Sequence, residues 1–431
     1  MNKFSNVAHP QTNMNPGINA HDINKTIITG QQIGLLGGPL YTTYKVLGAI
    51  HLAHQLNGTA LYWLETNDAD FNEINHIDYL DNEDQLKTLT WDINTNGYSC
   101  GYIEVDEKLE KLLETFFASI RQTEFTPMLK KMVLDCYRRG RTLVDASLSL
   151  AEELFGHYNI RFFTPFDLEF KKFSQPILRK EAMHTPDGQQ CNCFCMLGKQ
   201  RKALFREGSC FYTRDKLPIK LTAAELVPNV KTRCICQDAF FHTHTYVAGP
   251  NEINYITELD PLYEFHGIKK ANLQPRMSIS LLEPKVKRLL AKTGVSTDEI
   301  LQNAKDVLLK KEIGKESGLN FNEILKNSNN LTAEFLEKLQ TLGIEEIEIK
   351  AIRRTLQNEI KKSIGQMRSR AKDKASQLLK QTAFISDNLK PFDKKQERVF
   401  NIIYYMNLYG GKKFIDWLYK HYDPAMKTLE I

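Results

Sequence analysis

The chain has 431 residues, which allows two or three domains with ample core, and its 42% hydrophobic and 25% charged content is that of an ordinary globular protein. No run approaches the ~18 apolar residues a membrane helix needs. A net charge of +5 is too mild to imply nucleic acid, and eight scattered cysteines suggest reduced thiols in the cytoplasm rather than a small disulfide framework.

Residues 1–25 form a polar, Asn-rich lead without the apolar core of a secretory signal. "TIITG" (Thr26 to Gly30) predicts a buried first strand, "QQIGLLGGPLY" a Gly-rich turn, and "TTYKVLGAIHLAHQL" a helix closed by "NG". "TALYWL" predicts the next strand, so these elements make a βαβ unit and hence a parallel sheet. Residues 104–157 read mostly as helices, and "IRFFTP" as another strand. Short alternating runs from about 185 to 225 predict a small β-rich insertion. "TRCICQD" and "THTYVAG" read as a return to the main sheet, and "GPNEINYITELDPLYEFHG" as helix. After "PRMSISLLEP" the pattern is nearly all helical.

Ser296 and Glu299 are spaced as a capping box. Between Lys350 and Lys380 there are ten Lys/Arg and two Asp/Glu, with Ile352, Leu356, Ile360, Ile364, Met367 and Ala371 in one apolar stripe. That pattern predicts a long helix packed on a partner, with its charge on a solvated face or, in the competing reading, on a polyanion-binding face.

Chemistry concentrates in four places. In "TGQQIGLLGGPLYTTYK", Gly30, Gly34, Gly37 and Gly38 separate a strand from a helix. Backbone amides and the helix N-terminus could hold an anion there, with Lys45 about one turn inside; a tight turn is the competing reading. The spacing is neither of the common nucleotide fingerprints. In "ETNDADFNEINH", Asp68 and Asp70 share a face if extended, and Glu73 and His76 are neighbours if helical. They could bind a metal, hold an amine, act as acid and base, or only decorate a solvated turn, but the segment follows a parallel strand, where ligands collect. "HTHTYVAGPNEINY" repeats the strand-to-helix pattern, with Glu252 in the first turn and His242 and His244 spaced for one strand face. Cys191, Cys193 and Cys195 alternate, as do Cys234 and Cys236, a spacing unlike structural zinc knuckles.

Taken in order, "TGQQIGLLGGPLYTTYK", "YWLETNDADFNEINH", "PNVKTRCICQD", "YVAGPNEINY", "PRMSISLLE" and "QERVFNIIYYMNLYGGKKFIDWL" span Thr29 to about Leu418, and on them the chain resembles the bacillithiol synthase family, the bacillithiol biosynthesis cysteine-adding enzymes. The resemblance implies an α/β fold with a Rossmann-like parallel-sheet core of nucleotidyl-transferase type, over about 26–285, with the insertion near 185–225. It also implies a helical coiled-coil domain over 286–431 whose last segment, about 396–420, packs back on the core. The implied activity is a ligase joining the carboxyl of L-cysteine to the amine of glucosaminyl-malate, forming an amide. The implied assembly is a homodimer through the C-terminal helices, with no membrane and no nucleic acid. Where the family usually has Glu-Asp-His-Asp, this chain has Asn67-Asp68-Ala69-Asp70, so conjugation of a different amine is the alternative. A non-catalytic scaffold using the basic helix is a second one.

Activation of a free carboxylate implies ATP, with magnesium as its companion, and no structural metal. Lys45, Asp68, His76 and Glu252 are the catalytic candidates: Lys45 for developing charge, Asp68 for the amine, His76 for orientation and Glu252 as proton acceptor. Gln31, Gln32, Tyr41, Asn67, Asp70, Asn75, Tyr246 and Asn251 are the substrate-binding candidates. Gly30, Gly34, Gly37, Gly38, Gly249 and Arg276 are the nucleotide-binding candidates, Arg276 as a phosphate contact.

Overall fold

The structure, a computed structural model, describes residues 25–293 and 321–431; most of the polar lead and the Ser296–Glu299 pair lie outside them. The chain divides into two compact units. One runs to Ser280 and includes Gln396–Leu429; the other is Leu281–Lys395 with Glu430–Ile431.

The first unit is built on a parallel sheet. β1 (Thr26–Gln32) leads through α1 (Leu40–Leu56) to β2 (Thr59–Glu65), and β1 pairs with β2 from Thr26↔Thr59 to Gln32↔Glu65. β5 (Ile160–Phe163) extends the sheet beyond β2, while β10 (Thr245–Ala248) and β11 (Asn272–Pro275) lie on the other side of β1. The order β11-β10-β1-β2-β5 puts the first strand in the centre, with later strands added on both flanks. A crevice opens at the carboxyl ends of strands where the winding reverses, here between β1 and β10. Ile27 and Ile28 are fully buried, as a strand covered on both faces requires. α1 ends where Asn57 takes a left-handed conformation (φ 51), and a side chain at the next residue, Gly58, would put its Cβ 2.1 Å from the Lys25 carbonyl.

Between β2 and β5 the chain makes a hairpin of β3 (His76–Leu80) and β4 (Leu86–Thr90), then the helices α2 (Glu107–Ser119), α3 (Thr126–Cys136) and α4 (Leu143–Phe155). After β5, α5 (Leu168–His184) leads into a four-stranded antiparallel insertion. Its strands are β6 (Gln190–Leu197), β7 (Gln200–Glu207), β8 (Cys210–Thr213) and β9 (Leu226–Pro228). Cys191, Cys193 and Cys195 are buried in its core with Leu204 and Leu226, as small apolar residues. All eight cysteines are free thiols.

Two expectations fail here. "TRCICQD" is not a strand; it lies in α6 (Val230–Phe241), so Cys234 and Cys236 do not alternate along a sheet. Thr232 through Asp238 are consecutively buried, which removes the amphipathic period that marks a surface helix. The helix is announced instead by its cap: the Asn229 side chain accepts from the Thr232 amide at 3.0 Å, and the Thr232 hydroxyl accepts from the Asn229 amide at 3.0 Å. His242 and His244 do not share a strand face either. His242 is the left-handed residue (φ 48) that ends α6, and His244 precedes β10. Beyond β10 come α7 (Pro250–Thr257) and α8 (Asp260–His266).

The second unit contains helices Pro284–Thr293, Phe321–Thr341 and Glu346–Leu389. The last two pack together across a turn at Gly343 (φ 81). Along Glu346–Leu389, Ile352, Leu356 and Ile360 are half-buried and Ile364 is buried, whereas Met367 is 52% exposed; the side chain of Ala371 lies outside the described set. Among the described residues no helix is long and apolar enough to cross a membrane.

The Gly58 contact makes a direct prediction. Gly58→Ala forces the start of β1 away from β2 and should lower stability by about 1–3 kcal/mol, read as a lower urea midpoint at unchanged slope.

Candidate active site at the sheet reversal

The crevice between β1 and β10 is filled by charge. Lys45, 1% exposed on α1, reaches the end of β1 and donates to the Gly30 carbonyl and to Gln31 Oε1 at 3.2 Å. It also donates to both oxygens of Glu252, at 2.7 and 2.9 Å. Glu252 sits in the first turn of α7, where its carboxylate accepts the Gly249 amide at 2.8 Å and so caps its own helix. Tyr246, at the middle of β10, donates its hydroxyl to Glu252 at 3.2 Å. A Cβ on residue 30 would lie 3.1 Å from that hydroxyl, so Gly30 is where the backbone approaches most closely. Burial alone would raise the Glu252 carboxyl, but the Lys45 ammonium, the Gly249 amide and Arg233 outweigh it and hold the group below its ordinary value. Burial also lowers the Lys45 ammonium, and the attraction of Glu252 offsets only part of that.

A second buried pair lies alongside. Arg276 makes a fork with Glu397, at 2.9 and 2.8 Å, and donates to the Met277 carbonyl at 2.7 Å. Ser278 donates to the same carboxylate at 2.8 Å. Arg276 is therefore committed to a protein carboxylate, and the phosphate contact expected of it is not what its geometry serves. The Tyr41 ring lies 5.3 Å from the Arg276 guanidinium and 5.9 Å from that of Arg398, while its hydroxyl accepts from Gln31 at 3.1 Å.

The Gly-rich turn also differs from expectation. Four of its amides are consumed by the protein: Ile33 bonds to the Glu65 carbonyl at 3.2 Å, Leu35 to Ile74 at 3.4 Å, Gly37 to Gly34 at 3.2 Å and Gly38 to Leu35 at 3.0 Å. The Tyr137 hydroxyl donates to the Gly34 carbonyl at 3.4 Å, and the Leu40 amide at the start of α1 bonds to the Phe400 carbonyl at 2.7 Å. A Cβ on residue 34 would lie 3.1 Å from the Gly38 Cα, and one on residue 37 would meet Leu150 and Leu154 of α4. These glycines serve a packed turn. Gly249 likewise gives its amide to Glu252.

The acidic stretch splits into separate roles. Asp68 accepts from the amides of Ala69 and Asp70, at 2.7 and 3.2 Å, and from Arg201 of β7 at 2.5 Å. Asp70 is exposed, and its carbonyl accepts from Gln32 at 3.2 Å. Asn67 is buried, with its amide on Glu65 at 2.9 Å. The Asn75 side chain is bonded within the protein, donating to the Trp91 carbonyl at 3.3 Å. His76 begins β3 and lies 3.7 Å from Asp78, because a strand, not a helix, follows Glu73; the two are not helical neighbours. Asn251 is exposed on α7.

The structure adds Glu65 and Arg233, which the sequence reading passed over, and gives Glu73 its surroundings. Glu65, last in β2, accepts from Trp63 at 3.0 Å, and burial raises its carboxyl. Glu73 is exposed near Tyr41; partial burial, then Asp70 and Asp68, raise its carboxyl. Arg233 of α6 lies near Lys45, Glu65 and Glu252. The available signals were a strand's terminal carboxylate, and cations standing alone in apolar runs. Chemically, the site offers exposed carboxylates at Asp70 and Glu73, the latter near Tyr41, and three buried cations, Lys45, Arg233 and Arg276. Among the described residues no group of three His, Cys, Asp or Glu could hold a metal.

Comparison with known proteins agrees along the chain. Residues 5–193 and 184–277 match the family described as bacillithiol biosynthesis BshC, N-terminal Rossmann-like domain, and residues 279–431 match its C-terminal coiled-coil domain. The chain is 27% identical over 448 residues to the "Putative cysteine ligase BshC" of Bacillus licheniformis, covering 92% of this chain and 82% of that protein. It is 25% identical over 445 residues to the protein of the same name from Salinibacter ruber, covering 89% and 78%.

The depressed Glu252 carboxyl sets a pH dependence. Its ionisation adds stability that is fully present above the ordinary carboxylate value and is lost as pH falls through the lower folded value. Glu252→Gln should therefore be less stable than wild type at neutral pH, with the gap in denaturant midpoints narrowing as pH falls through and below the ordinary carboxylate range.

Proposed function

Since the chain belongs to the BshC family of bacillithiol biosynthesis, we propose that it is an amide-forming ligase that joins the carboxyl of L-cysteine to the amine of glucosaminyl-malate. The observation that carries this reading is the match of residues 5–193, 184–277 and 279–431 to the family's two domains. Exposed carboxylates at Asp70 and Glu73 together with buried cations support it, because the reaction brings an amine to a carboxyl carbon.

A free carboxylate must be activated before an amine displaces its oxygen, and ATP, with magnesium, is the activator we propose. The Gly-rich turn does not fit a triphosphate, since its amides are bonded to Glu65, Ile74, Gly34, Leu35 and Phe400. No step is therefore drawn through it, and the protein's own groups act as follows. Asp70 and Glu73 attract the amine. Glu73, with its raised carboxyl, takes the proton lost as nitrogen attacks. Lys45 supplies positive charge where the carbonyl oxygen becomes anionic, giving up its longest bond, 3.2 Å to Gln31, to do so. Glu252 and Tyr246 hold Lys45 in place, and Gln31 and Tyr41 line the approach.

We place the protein in the cytoplasm, on the strength of its eight free thiols, and propose that a second copy pairs with the C-terminal helices. Leu331 at 66%, Phe335 at 49% and Ile347 at 78% exposure leave apolar surface there for such a contact.

Purified protein with ATP, L-cysteine and glucosaminyl-malate should yield the mass of the amide. Product with cysteine and another amine, but not this one, moves the acceptor and keeps the chemistry. Lys45→Met should reduce kcat by at least about 10²-fold while keeping its helical circular dichroism, and full turnover would sink the assignment. In wild type, kcat/KM should fall with acid through a value above the ordinary carboxylate range; Glu73→Gln should lower the rate and lose that limb.

A further inference from the structure

Three buried cations surround the crevice, and two of them have carboxylates in contact. Lys45 has Glu252 at 2.7 Å and Arg276 has Glu397 at 2.8 Å. The third, Arg233, is 8% exposed and makes no ion pair among the described residues. Its partners are neutral: Gln237 Oε1 at 2.8 Å, the Tyr255 hydroxyl at 3.3 Å, the Cys234 thiol at 3.5 Å and the Tyr246 ring at 5.3 Å. Glu252 and Glu65 act on it only at longer range, and Glu252 is already engaged by Lys45, Tyr246 and Gly249.

A guanidinium stripped of water and left without a contacting anion destabilises a fold, and an apolar side chain of similar size would serve packing better. Its five N–H donors exceed the acceptors it meets here. It is also held in orientation, by Gln237 on its own helix and by the Tyr246 ring, next to the half-buried Tyr255 hydroxyl of α7. A fixed fork beside a hydroxyl is the donor set that a carboxylate takes in two-point fashion.

We propose that Arg233, with Tyr255, is the binding site for a carboxylate carried by one of the substrates. The identity of that substrate rests on the ligase reading above. The carboxylate belongs either to the amino acid or to the malyl group of the acceptor, and the two sources are separable by experiment. The carboxylate is then the counter-charge that Arg233 lacks, and binding completes a set of three ion pairs.

The test is calorimetric titration of wild type, Arg233→Met and Arg233→Lys. The probes are L-cysteine against cysteamine, glucosaminyl-malate against methyl glucosaminide, and L-malate alone. Wild type should prefer the carboxylate-bearing member of one pair by about tenfold or more, and that pair names the source. Arg233→Met should lose the preference, and Arg233→Lys should keep part of it. Ligand-free Arg233→Met should unfold at the wild-type temperature or above it, since it removes an unpaired buried charge. The proposal is overturned if Arg233→Met keeps the preference, or if both ligand-free variants unfold well below wild type, which marks a structural role. Wild type that binds neither pair overturns the ligase reading instead. The carboxylate site then stands only if L-malate binds wild type about tenfold or more tightly than Arg233→Met.

Discussion

The ion pair between Lys45 and Glu252 joins residues that lie 207 positions apart in the chain. It ties α1, the end of β1 and the cap of α7 together at the one place where the sheet reverses its winding. Such a crevice exposes the ends of strands and helices, and apolar side chains cannot satisfy the carbonyls and amides found there. A lysine with three donors and a carboxylate can, and these two meet the Gly30 carbonyl, the Gln31 side chain, the Tyr246 hydroxyl and the Gly249 amide. Removing one member of a buried pair costs about 3–5 kcal/mol, because the other is stranded away from water. The geometry of the crevice, and of every group that faces it, depends on both being present.

That arrangement explains which parts of the molecule were legible in the sequence. The β1–α1–β2 unit was, because a β-branched run, a glycine turn, a helical period and an Asn-Gly stop agree with one another. Lys45 and Glu252 stood out for the same reason, each lying just after a strand. α6 was misread because burial on every side erased its period, leaving only the Asn229–Thr232 cap as evidence. The roles of Arg276 and the glycine turn depend on Glu397, Phe400, Ile74 and Tyr137, partners that lie far away in sequence. Local spacing cannot report that a donor is already used. The same blindness concealed Arg233, which no carboxylate contacts among the described residues, and Asn75, whose amide serves Trp91.

The acidic stretch after β2 shows how one run of residues can be divided among tasks. Glu65 turns inward to Trp63, Asp68 ties its own loop to Arg201 of the insertion, and Asn75 anchors a neighbouring loop. Only Asp70 and Glu73 keep an open, charged face. Dense polar sequence at the mouth of a strand is therefore mostly architecture here. The remaining charge gains strength from that rigidity, since a fixed carboxylate needs no reorganisation when an amine arrives.

The segment Gln396–Leu429 gives the first unit two things it cannot make from its own earlier residues: Glu397 for Arg276, and the Phe400 carbonyl that closes the start of α1. The second unit is spliced into the chain between them. On the ribosome, domains usually finish in the order they emerge. This one cannot. The start of the first helix stays open, and Arg276 stays without its counter-ion, until Glu397 and Phe400, beyond the second unit, have been translated. Until then the nascent chain lacks the Glu397 carboxylate and the Phe400 carbonyl that Arg276 and the start of α1 meet in the folded protein.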